Sequence, residues 1–246
     1  MVQIESRVSS IARSRPQHPF TIKRVFDISI ALFVLAVASP LLVIGAVGIK
    51  LTSPGPVLYC AKRIGRDRRG RQRPDPYRGR EFIMYKLRTM HVGADNGMMP
   101  ITAWRDSRVF PWGRLLRATK IDELPQLLNV IKGDMSLVGP RPEAPEVVRA
   151  HYRTDDVATL QVLPGVTSPG TLYYYTHCEA ALASDVAMNV YVEQVLPAKL
   201  ALDRVYLSNA TFLYDVRILL RTLKVVVARS LGVRRFPDPP ELRHAH

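Results

Sequence analysis

The sequence contains few of the residues that build disulfide frameworks and metal clusters. Its 246 residues include only two cysteines, Cys60 and Cys178. Two cysteines exclude a disulfide-stapled scaffold and are typical of a reducing cytosol. The sequence also has no cysteine and histidine cluster with the spacing of a zinc site, and no internal repeat. The length allows one domain with a sizeable core.

Acidic residues are scarce relative to basic ones. The chain has 21 aspartates and glutamates against 35 lysines and arginines, which gives a formal net charge of +14. Such a charge indicates an anionic partner or surface. Nucleic acid, anionic lipid and a phosphorylated substrate all satisfy this condition, and the charge alone does not choose among them.

One segment, residues 28–49, has no charged residue at all. Its length is that of a transmembrane helix, but Pro40 lies inside it and disfavours helical geometry at Ser39. Each piece beside Pro40 is too short to cross a hydrocarbon core of about 30 Å. Basic residues flank both ends, and such residues favour the cytoplasmic side. We therefore expect a re-entrant helix-break-helix hairpin with its break at Ser39 and Pro40; a kinked single span and a soluble core helix are the alternatives.

The sequence predicts further boundaries along the chain. No signal peptide is expected, because the apolar run starts too late and no small-residue cleavage site follows it. A basic loop at 62–80 either binds anionic lipid or is simply solvated. An amphipathic helix at 211–229 either lies in the membrane interface or packs on the core. The expected segments are a flexible basic N-terminus at 1–22, the hairpin at 23–51, the main domain at 52–231 and a disordered tail at 232–246.

The stretch TKIDELPQLLNVIKGD places two adjacent carboxylates, Asp122 and Glu123, at the start of a short helix that Gly133 is placed to end. A helix N-terminus offers free N–H groups and partial positive charge, where phosphate binds. A carboxylate in that setting can stay ionised and act as a nucleophile or a metal ligand. The simpler alternative is an N-cap aspartate beside a surface glutamate.

Basic residues occur at two other places that suit phosphate. A short apolar strand at 82–85 leads to Lys86 and Arg88, which lie two residues apart and therefore on one face of a strand. Two such cations repel each other unless an anion lies between them; a solvated strand end is the alternative. Arg141 lies between two prolines, and this rigid setting suits bidentate phosphate binding, with a structural salt bridge as the alternative.

In their order along the chain, the apolar run with its Ser-Pro pair and the blocks FIMYKLRTM, DELPQLLNV and GDMSLVGPRP resemble the bacterial monotopic phosphoglycosyl transferases. The resemblance covers roughly residues 23–223. It implies a membrane-associated α/β (α+β) fold with a re-entrant hairpin, a compact catalytic domain at 52–231 and amphipathic interfacial helices. It also implies a monotopic protein on the cytoplasmic face of the bacterial inner membrane.

The resemblance implies that the protein transfers a phosphosugar from a UDP-sugar to undecaprenyl phosphate and releases UMP. In this scheme Asp122 attacks the β-phosphorus and helps to hold Mg²⁺, while Glu123 orients the site or accepts a proton. Such a reaction begins exopolysaccharide, capsule, O-antigen or glycoconjugate synthesis. The other residues that the resemblance places at the active site are Lys86, Arg88, Arg117 and Arg141, which bind substrate phosphate, and the acidic residue Asp203.

The expected partners are the UDP-sugar, undecaprenyl phosphate and inner-membrane lipids, with downstream glycosyltransferases and a second copy of the chain as further candidates. Nucleic acid is not expected. The chain departs from the family after residue 167, where SPGTLYYYTH replaces a block like A-Q-V-N-G-R. Its three tyrosines can stack on uracil, line the sugar pocket or anchor at the membrane, so the sugar stays open. A non-catalytic basic membrane-surface protein is the alternative function, but it does not explain Asp122 and Glu123 among cations.

Overall fold

A computed structural model describes residues 20–66, 79–93, 106–179 and 187–244. Almost all of the predicted N-terminal segment at 1–22, and most of the predicted basic loop at 62–80, therefore lie outside the described residues.

The apolar run forms one helix, α1 (Phe20–Thr52), with Pro40 inside it. The sequence predicts two helices with a break at Ser39 and Pro40, whereas the helical backbone continues through both residues. Pro40 has no N–H and so cannot donate to the carbonyl of Ala36. The Ser39 hydroxyl donates to that carbonyl at 2.8 Å instead. This substitution satisfies the freed backbone group and explains how a helix tolerates proline here.

One narrow stripe of α1 faces the rest of the protein, and includes Asp27, Ala31 and Ile49. Large apolar side chains cover the other sides, with Phe33 and Val37 each 65% exposed. The helix is long and apolar enough to cross a membrane, and only 17% of its most apolar window is buried. A core helix of a soluble protein is mostly buried, so this pattern indicates membrane association.

Both ends of α1 are attached to the same domain. Near its start, Lys23 Nζ lies 2.5 Å from the carboxylate of Asp215, and Arg24 donates to the carbonyl of Ile131 at 3.0 Å. Towards its end, the indole N–H of Trp112 donates to the carbonyl of Gly45 at 3.2 Å. The helix is thus fixed along its length and not by one end alone.

Two small sheets are present in the described chain. Strands β1 (Leu58–Ile64) and β2 (Glu81–Leu87) pair antiparallel, whereas β3 (Ser136–Val138) and β4 (Gly165–Thr167) pair parallel. The parallel pair continues into a very close backbone approach between Gly139 and Gly165. A Cβ atom built on Gly165 would lie 2.1 Å from the backbone nitrogen of Gly139. Only glycine fits at such a contact.

Short helices connect the strands. Proline begins several of them, where its missing N–H has no cost. Gly133 ends the helix Gln126–Lys132 with φ 88°, as the sequence predicts. The mixture of helices and small sheets is an α+β architecture, which confirms the coarse fold prediction. The helices are α2 (Pro111–Thr119), α3 (Gln126–Lys132), α4 (Pro145–His151), α5 (Pro169–Tyr173), α6 (Ala187–Val190), α7 (Leu196–Asn209) and α8 (Phe212–Ser230). Segments of 3₁₀ helix occur at Ile121–Glu123, Thr154–Gln161 and Pro240–His244, and π-helical turns occur at Tyr174–Cys178 and Tyr191–Val195.

Helix α8 has two apolar faces with different surroundings. Ile218 is fully buried in the main core, with Ala31 of α1 and Val130 of α3. Leu220 and Leu223 point away from that core and are 62% and 61% exposed. One face of α8 therefore packs on the domain, and the other is available to a membrane surface. The two alternatives from the sequence, core packing and membrane contact, each describe one face.

The structure describes the segment predicted as a disordered tail, 232–246, as far as His244. Glu241 is only 4% exposed, and its carboxylate accepts hydrogen bonds from Tyr214 at 2.7 Å and Arg221 at 2.6 Å. The polar, proline-rich composition suggested disorder, but the buried carboxylate of Glu241 ties the segment to α8.

Candidate active site

The two adjacent carboxylates lie in the 3₁₀ segment between α2 and α3. Lys120 ends α2 and has φ 59°, and it alone has a positive φ among the non-glycine residues that the structure describes. This left-handed residue turns the chain sharply. As a result Asp122 is buried, at 5% exposure, and the Glu123 side chain is 13% exposed.

Glu123 is surrounded by hydrogen-bond donors. Its Oε1 atom accepts from Lys86 Nζ at 3.2 Å, Arg141 Nη2 at 2.8 Å and the Tyr175 hydroxyl at 2.9 Å. Its Oε2 atom accepts from Gln126 Nε2 at 3.1 Å. Burial alone would raise the pKa of Glu123, but the charges of Arg141 and Lys86 outweigh it and hold the pKa well below its usual value. Glu123 is therefore a fixed anion whose two oxygens are both engaged.

Asp122 has the opposite environment. Among the described residues, none donates a hydrogen bond to its buried Oδ1 atom. Burial, and then the charge of Glu123, raise the pKa of Asp122 to about 6, although Lys86 and Lys120 oppose the shift. At neutral pH Asp122 is thus an anion with little stabilisation, which suits a nucleophile or a metal ligand.

The cations of the site come from different elements. Lys86 lies near the end of β2, and burial lowers its pKa to about 8 although Glu123 opposes the shift. Arg141 follows β3; burial opposes its charge, but Glu123 raises the pKa of its guanidinium. Arg117, in the last turn of α2, is close enough for its charge to lower the pKa of Asp122. The structure therefore brings Lys86, Arg117 and Arg141 to the carboxylate pair.

Arg88 has a different place from the one that the sequence predicts. Strand β2 ends at Leu87, so the alternation that would put Arg88 beside Lys86 stops before it. The Arg88 guanidinium donates to the carbonyl and hydroxyl of Ser53, each at 2.8 Å, and to the carbonyl of Pro56 at 2.6 Å. Within the described parts of the chain it has no hydrogen bond to the carboxylate pair, and it instead ties the segment after α1 to β2.

Asp203 is buried on α7, where its Oδ1 atom accepts from the backbone N–H of Gly170 at 3.0 Å. Burial raises its pKa to about 6, against a hydrogen bond from Ser168. These contacts fix the first turn of α5, and none of them reaches Asp122 or Glu123 in the part of the chain that the structure describes. A role of Asp203 in catalysis stays a prediction.

Tyr175 was not predicted as a contact of the carboxylate pair. Besides the hydrogen bond to Glu123, its ring centroid lies 3.7 Å from Lys120 Nζ and 5.7 Å from the guanidinium carbon of Arg141. Burial raises the pKa of its hydroxyl well above the usual value, so the group stays a donor. The signal in the sequence was the departure from the family block, but nothing local indicated which of the three tyrosines reaches Glu123.

The oxygen atoms of the site are candidate ligands for a divalent cation. The described residues contain no group of three or more histidines, cysteines and acids that could hold a metal. Mg²⁺, however, is often held by one or two protein oxygens together with substrate phosphates and water. Two buried acceptors have no hydrogen-bond partner in the described chain: Asp122 Oδ1 in the 3₁₀ segment and Gln126 Oε1 at the start of α3. The residues present fit Mg²⁺.

These features define a class of protein: one with a buried carboxylate pair, set among cations, in a domain that carries an exposed apolar helix. The model of the bacterial sugar transferase family matches residues 18–229. The chain belongs to this family, which confirms the resemblance found in the sequence.

Several relatives have names that state a reaction. The chain is 36% identical over 205 residues (82% of this chain) to a UDP-glucose:undecaprenyl-phosphate glucose-1-phosphate transferase of Caulobacter vibrioides. It is 33% identical over 232 residues (94% of this chain) to a UDP-N-acetylgalactosamine-undecaprenyl-phosphate N-acetylgalactosaminephosphotransferase of Aeromonas hydrophila. It is 32% identical over 225 residues (85% of this chain) to an undecaprenyl-phosphate galactose phosphotransferase of Salmonella typhimurium. The chain spans 68%, 48% and 41% of these three relatives.

Proposed function

We propose that the protein transfers a phosphosugar from a UDP-sugar to undecaprenyl phosphate, with release of UMP. The observation that carries this proposal is the inequality of the two carboxylates. Glu123 accepts four hydrogen bonds and is a stabilised anion, whereas Asp122 keeps a buried oxygen without a donor and has a pKa of about 6. The names of the relatives support the same general reaction.

In the first step, a carboxylate oxygen of Asp122 attacks the β-phosphorus of the UDP-sugar. The bond from this phosphorus to the bridging oxygen breaks, UMP leaves with that oxygen, and the phosphosugar remains on Asp122 as an acyl phosphate. Lys86 and Arg141, which converge on Glu123, supply positive charge for the diphosphate. Glu123 is the poorer nucleophile because its oxygens already accept hydrogen bonds.

In the second step, a phosphate oxygen of undecaprenyl phosphate attacks the same phosphorus. The bond to Asp122 breaks, the carboxylate is restored, and the product is undecaprenyl-diphospho-sugar. Division into two steps means that the two anionic substrates need not meet. The low pKa of Glu123 makes it a weak base, so we assign it the positioning of Lys86 and Arg141 and not proton transfer.

Mg²⁺, when bound, would neutralise charge on the diphosphate and on the leaving group. Asp122 would hold it through Oδ1, and the unpartnered Oε1 of Gln126 would be a second oxygen ligand. Gln126 can present this oxygen only because its amide nitrogen is turned towards Glu123.

We also propose that α1, although its helical backbone is unbroken at Pro40, enters and leaves the membrane by the same face, so that the protein is monotopic on the cytoplasmic face of the inner membrane. Lys23 near the start of α1 and Gly45 towards its end both contact the same domain. A span would require about 30 Å of hydrocarbon between the two ends of the helix. Undecaprenyl phosphate stays in the bilayer, so this arrangement keeps the active site beside it.

Topology can be measured by thiol labelling in intact cells. Single cysteines at Val25 and Leu51, which are 60% and 82% exposed, are placed in a background with the exposed native Cys60 replaced by serine. A re-entrant helix leaves both positions inaccessible to an impermeant reagent until the cells are opened. Labelling of one position in intact cells would instead indicate a span.

The reaction is tested by UMP release in nanodiscs with Mg²⁺, undecaprenyl phosphate and a panel of UDP-glucose, UDP-galactose and UDP-N-acetylgalactosamine. We expect one donor to be preferred and Asp122→Asn to be inactive. The matched control is Glu81→Gln, which changes an acid whose side chain is 44% exposed in an ion pair with Arg149. This control is expected to keep full activity.

The covalent step has its own test. Without undecaprenyl phosphate, the proposal predicts a burst of about one UMP per protein and a peptide containing Asp122 that is heavier by one phosphosugar. UMP release only in the presence of the lipid, with no burst, would indicate direct transfer. Failure to bind any UDP-sugar, with binding to anionic vesicles that falls steeply with salt, would favour the non-catalytic membrane-surface protein. The reaction would begin exopolysaccharide, capsule, O-antigen or glycoconjugate synthesis.

A further inference from the structure

One side chain contacts three of the charged groups at the carboxylate pair. The Tyr175 hydroxyl donates to Glu123 at 2.9 Å, and its ring faces Lys120 at 3.7 Å and Arg141 at 5.7 Å. We propose that Tyr175 is a positioning residue for the transfer reaction and that α8 holds it in place. This inference rests on the proposed function and concerns a segment in which the chain departs from its family's usual pattern.

Helix α8 fixes the backbone of Tyr175. Arg229, in the last turn of α8, donates to the carbonyl of Tyr175 and also to Glu179 Oε2, at 2.5 Å. The other oxygen of Glu179 accepts from Lys120 Nζ at 3.2 Å. These contacts form a closed ring of four residues: Tyr175, Arg229, Glu179 and Lys120. One member of the ring, Arg229, lies on the partly exposed apolar helix α8, and another, Lys120, lies close to Asp122.

The local backbone places Tyr175 in this ring. Residues Tyr174–Cys178 form a π-helical turn directly after α5. A π turn widens the helix by one residue and is frequent at functional sites because it re-aims side chains. The preceding helix is itself fixed by Asp203, which accepts from the N–H of Gly170. Asp203 thus contributes to the position of Tyr175 without touching the carboxylate pair.

The hydroxyl and the ring have separable roles. The hydroxyl is one of three donors on Glu123 Oε1, together with Lys86 and Arg141. It restrains the carboxylate that in turn holds both cations relative to Asp122, and such alignment matters most in the transition state. The ring holds the charges of Lys120 and Arg141 close together through cation–π contacts, and these cations are the ones that would meet the diphosphate.

The test separates the two roles by kinetics. For Tyr175→Phe, which keeps the ring, we expect kcat to fall about tenfold with KM for the UDP-sugar within about twofold, since a hydrogen bond to a charged group is lost. For Tyr175→Leu, which also removes the ring, KM is expected to rise as well. The matched control is Tyr174→Phe; the adjacent tyrosine has no hydrogen bond to Glu123 in the part of the chain that the structure describes, and its variant should turn over like the wild type.

A stability cycle gives a readout that does not depend on turnover. Tyr175→Phe should lower the melting temperature, and it should do so less when Glu123 is already glutamine, because the anionic acceptor is gone. Equal shifts in both backgrounds, or an unchanged kcat in Tyr175→Phe, would overturn the inference. If the wild type releases no UMP with any donor, the proposed function fails together with the inference; an active wild type with an unaffected Tyr175→Phe refutes the inference alone.

Discussion

Asp122→Asn and Glu123→Gln are expected to change the stability of the protein in opposite directions, although the two carboxylates are adjacent. Each substitution removes one charge and keeps the shape of the side chain. The sign depends on whether the folded protein favours or disfavours the ionised form. The folded protein disfavours the ionised form of Asp122 and favours that of Glu123.

The pKa of Asp122 rises from its ordinary value of 3.8 to about 6, mainly through burial. The folded state therefore loses stability as the pH rises from about 4 to above 6, by at most about 3 kcal/mol. Asparagine does not ionise, so Asp122→Asn should raise the free energy of unfolding by about 1–3 kcal/mol at pH 7.5. This gain should vanish as the pH falls towards 4.

The pKa of Glu123 lies well below its ordinary value of 4.5, because Arg141 and Lys86 outweigh the effect of burial. Its contribution to stability is present above pH 4.5 and is lost as the pH falls through the folded pKa. Glu123→Gln also leaves the buried charges of Arg141 and Lys86 without their anion, for which a loss of about 3–5 kcal/mol is typical. The variant should therefore be clearly less stable than the wild type at pH 7.5.

The assay is thermal unfolding of the detergent-solubilised protein at pH 7.5 and pH 4.5, with EDTA present because a bound cation would itself favour ionised Asp122. A change of 1 kcal/mol corresponds to roughly 2–4 °C for a domain of this size. Glu81→Gln, which changes a largely exposed acid, serves as the control and should melt with the wild type. Equal destabilisation by the two active-site variants, or a gain in Asp122→Asn that is undiminished at pH 4.5, would refute the reasoning.

Three further predictions concern metal binding, attachment of α1 and backbone packing. Mn²⁺ binding, followed by the loss of the free-ion EPR signal, should be abolished in Asp122→Asn and weakened about tenfold in Gln126→Leu; equal affinity in Gln126→Leu and the wild type would exclude the amide as a ligand. Lys23→Met removes the ammonium group that lies 2.5 Å from the carboxylate of Asp215, which is 2% exposed, and should lower the free energy of unfolding by about 2–4 kcal/mol; an unchanged melting temperature would contradict this. Gly165→Ala adds a methyl group 2.1 Å from a backbone nitrogen, and should reduce both melting temperature and kcat by forcing the strands apart; wild-type values of both would show that the backbone relaxes freely.

The sequence predicted best where a local rule determined the outcome. Gly133 ends α3 as expected, and the helix begins shortly after Asp122 and Glu123, at Gln126. The apolar run was recognised from its length and lack of charge. The continuous helix through Ser39 and Pro40 was not predicted. There the Ser39 hydroxyl replaces the hydrogen bond that Pro40 cannot make, so the helix continues.

The remaining differences involve contacts between distant parts of the chain. Arg88 was paired with Lys86 by strand alternation, but β2 ends one residue too early, and Ser53 and Pro56 take its guanidinium. Asp203 supports α5 from α7, a contact that the sequence did not indicate, and its role at the site stays a prediction. A periodicity argument describes one element at a time and cannot give these partners.

The close approach of Gly139 and Gly165 has a consequence for the geometry of the site. Arg141 follows the first glycine by two residues and Tyr175 follows the second by ten, so the distance between the two backbones sets how these side chains meet at Glu123. The relative position of two groups that engage one carboxylate thus depends on a contact with no room for a single added carbon atom.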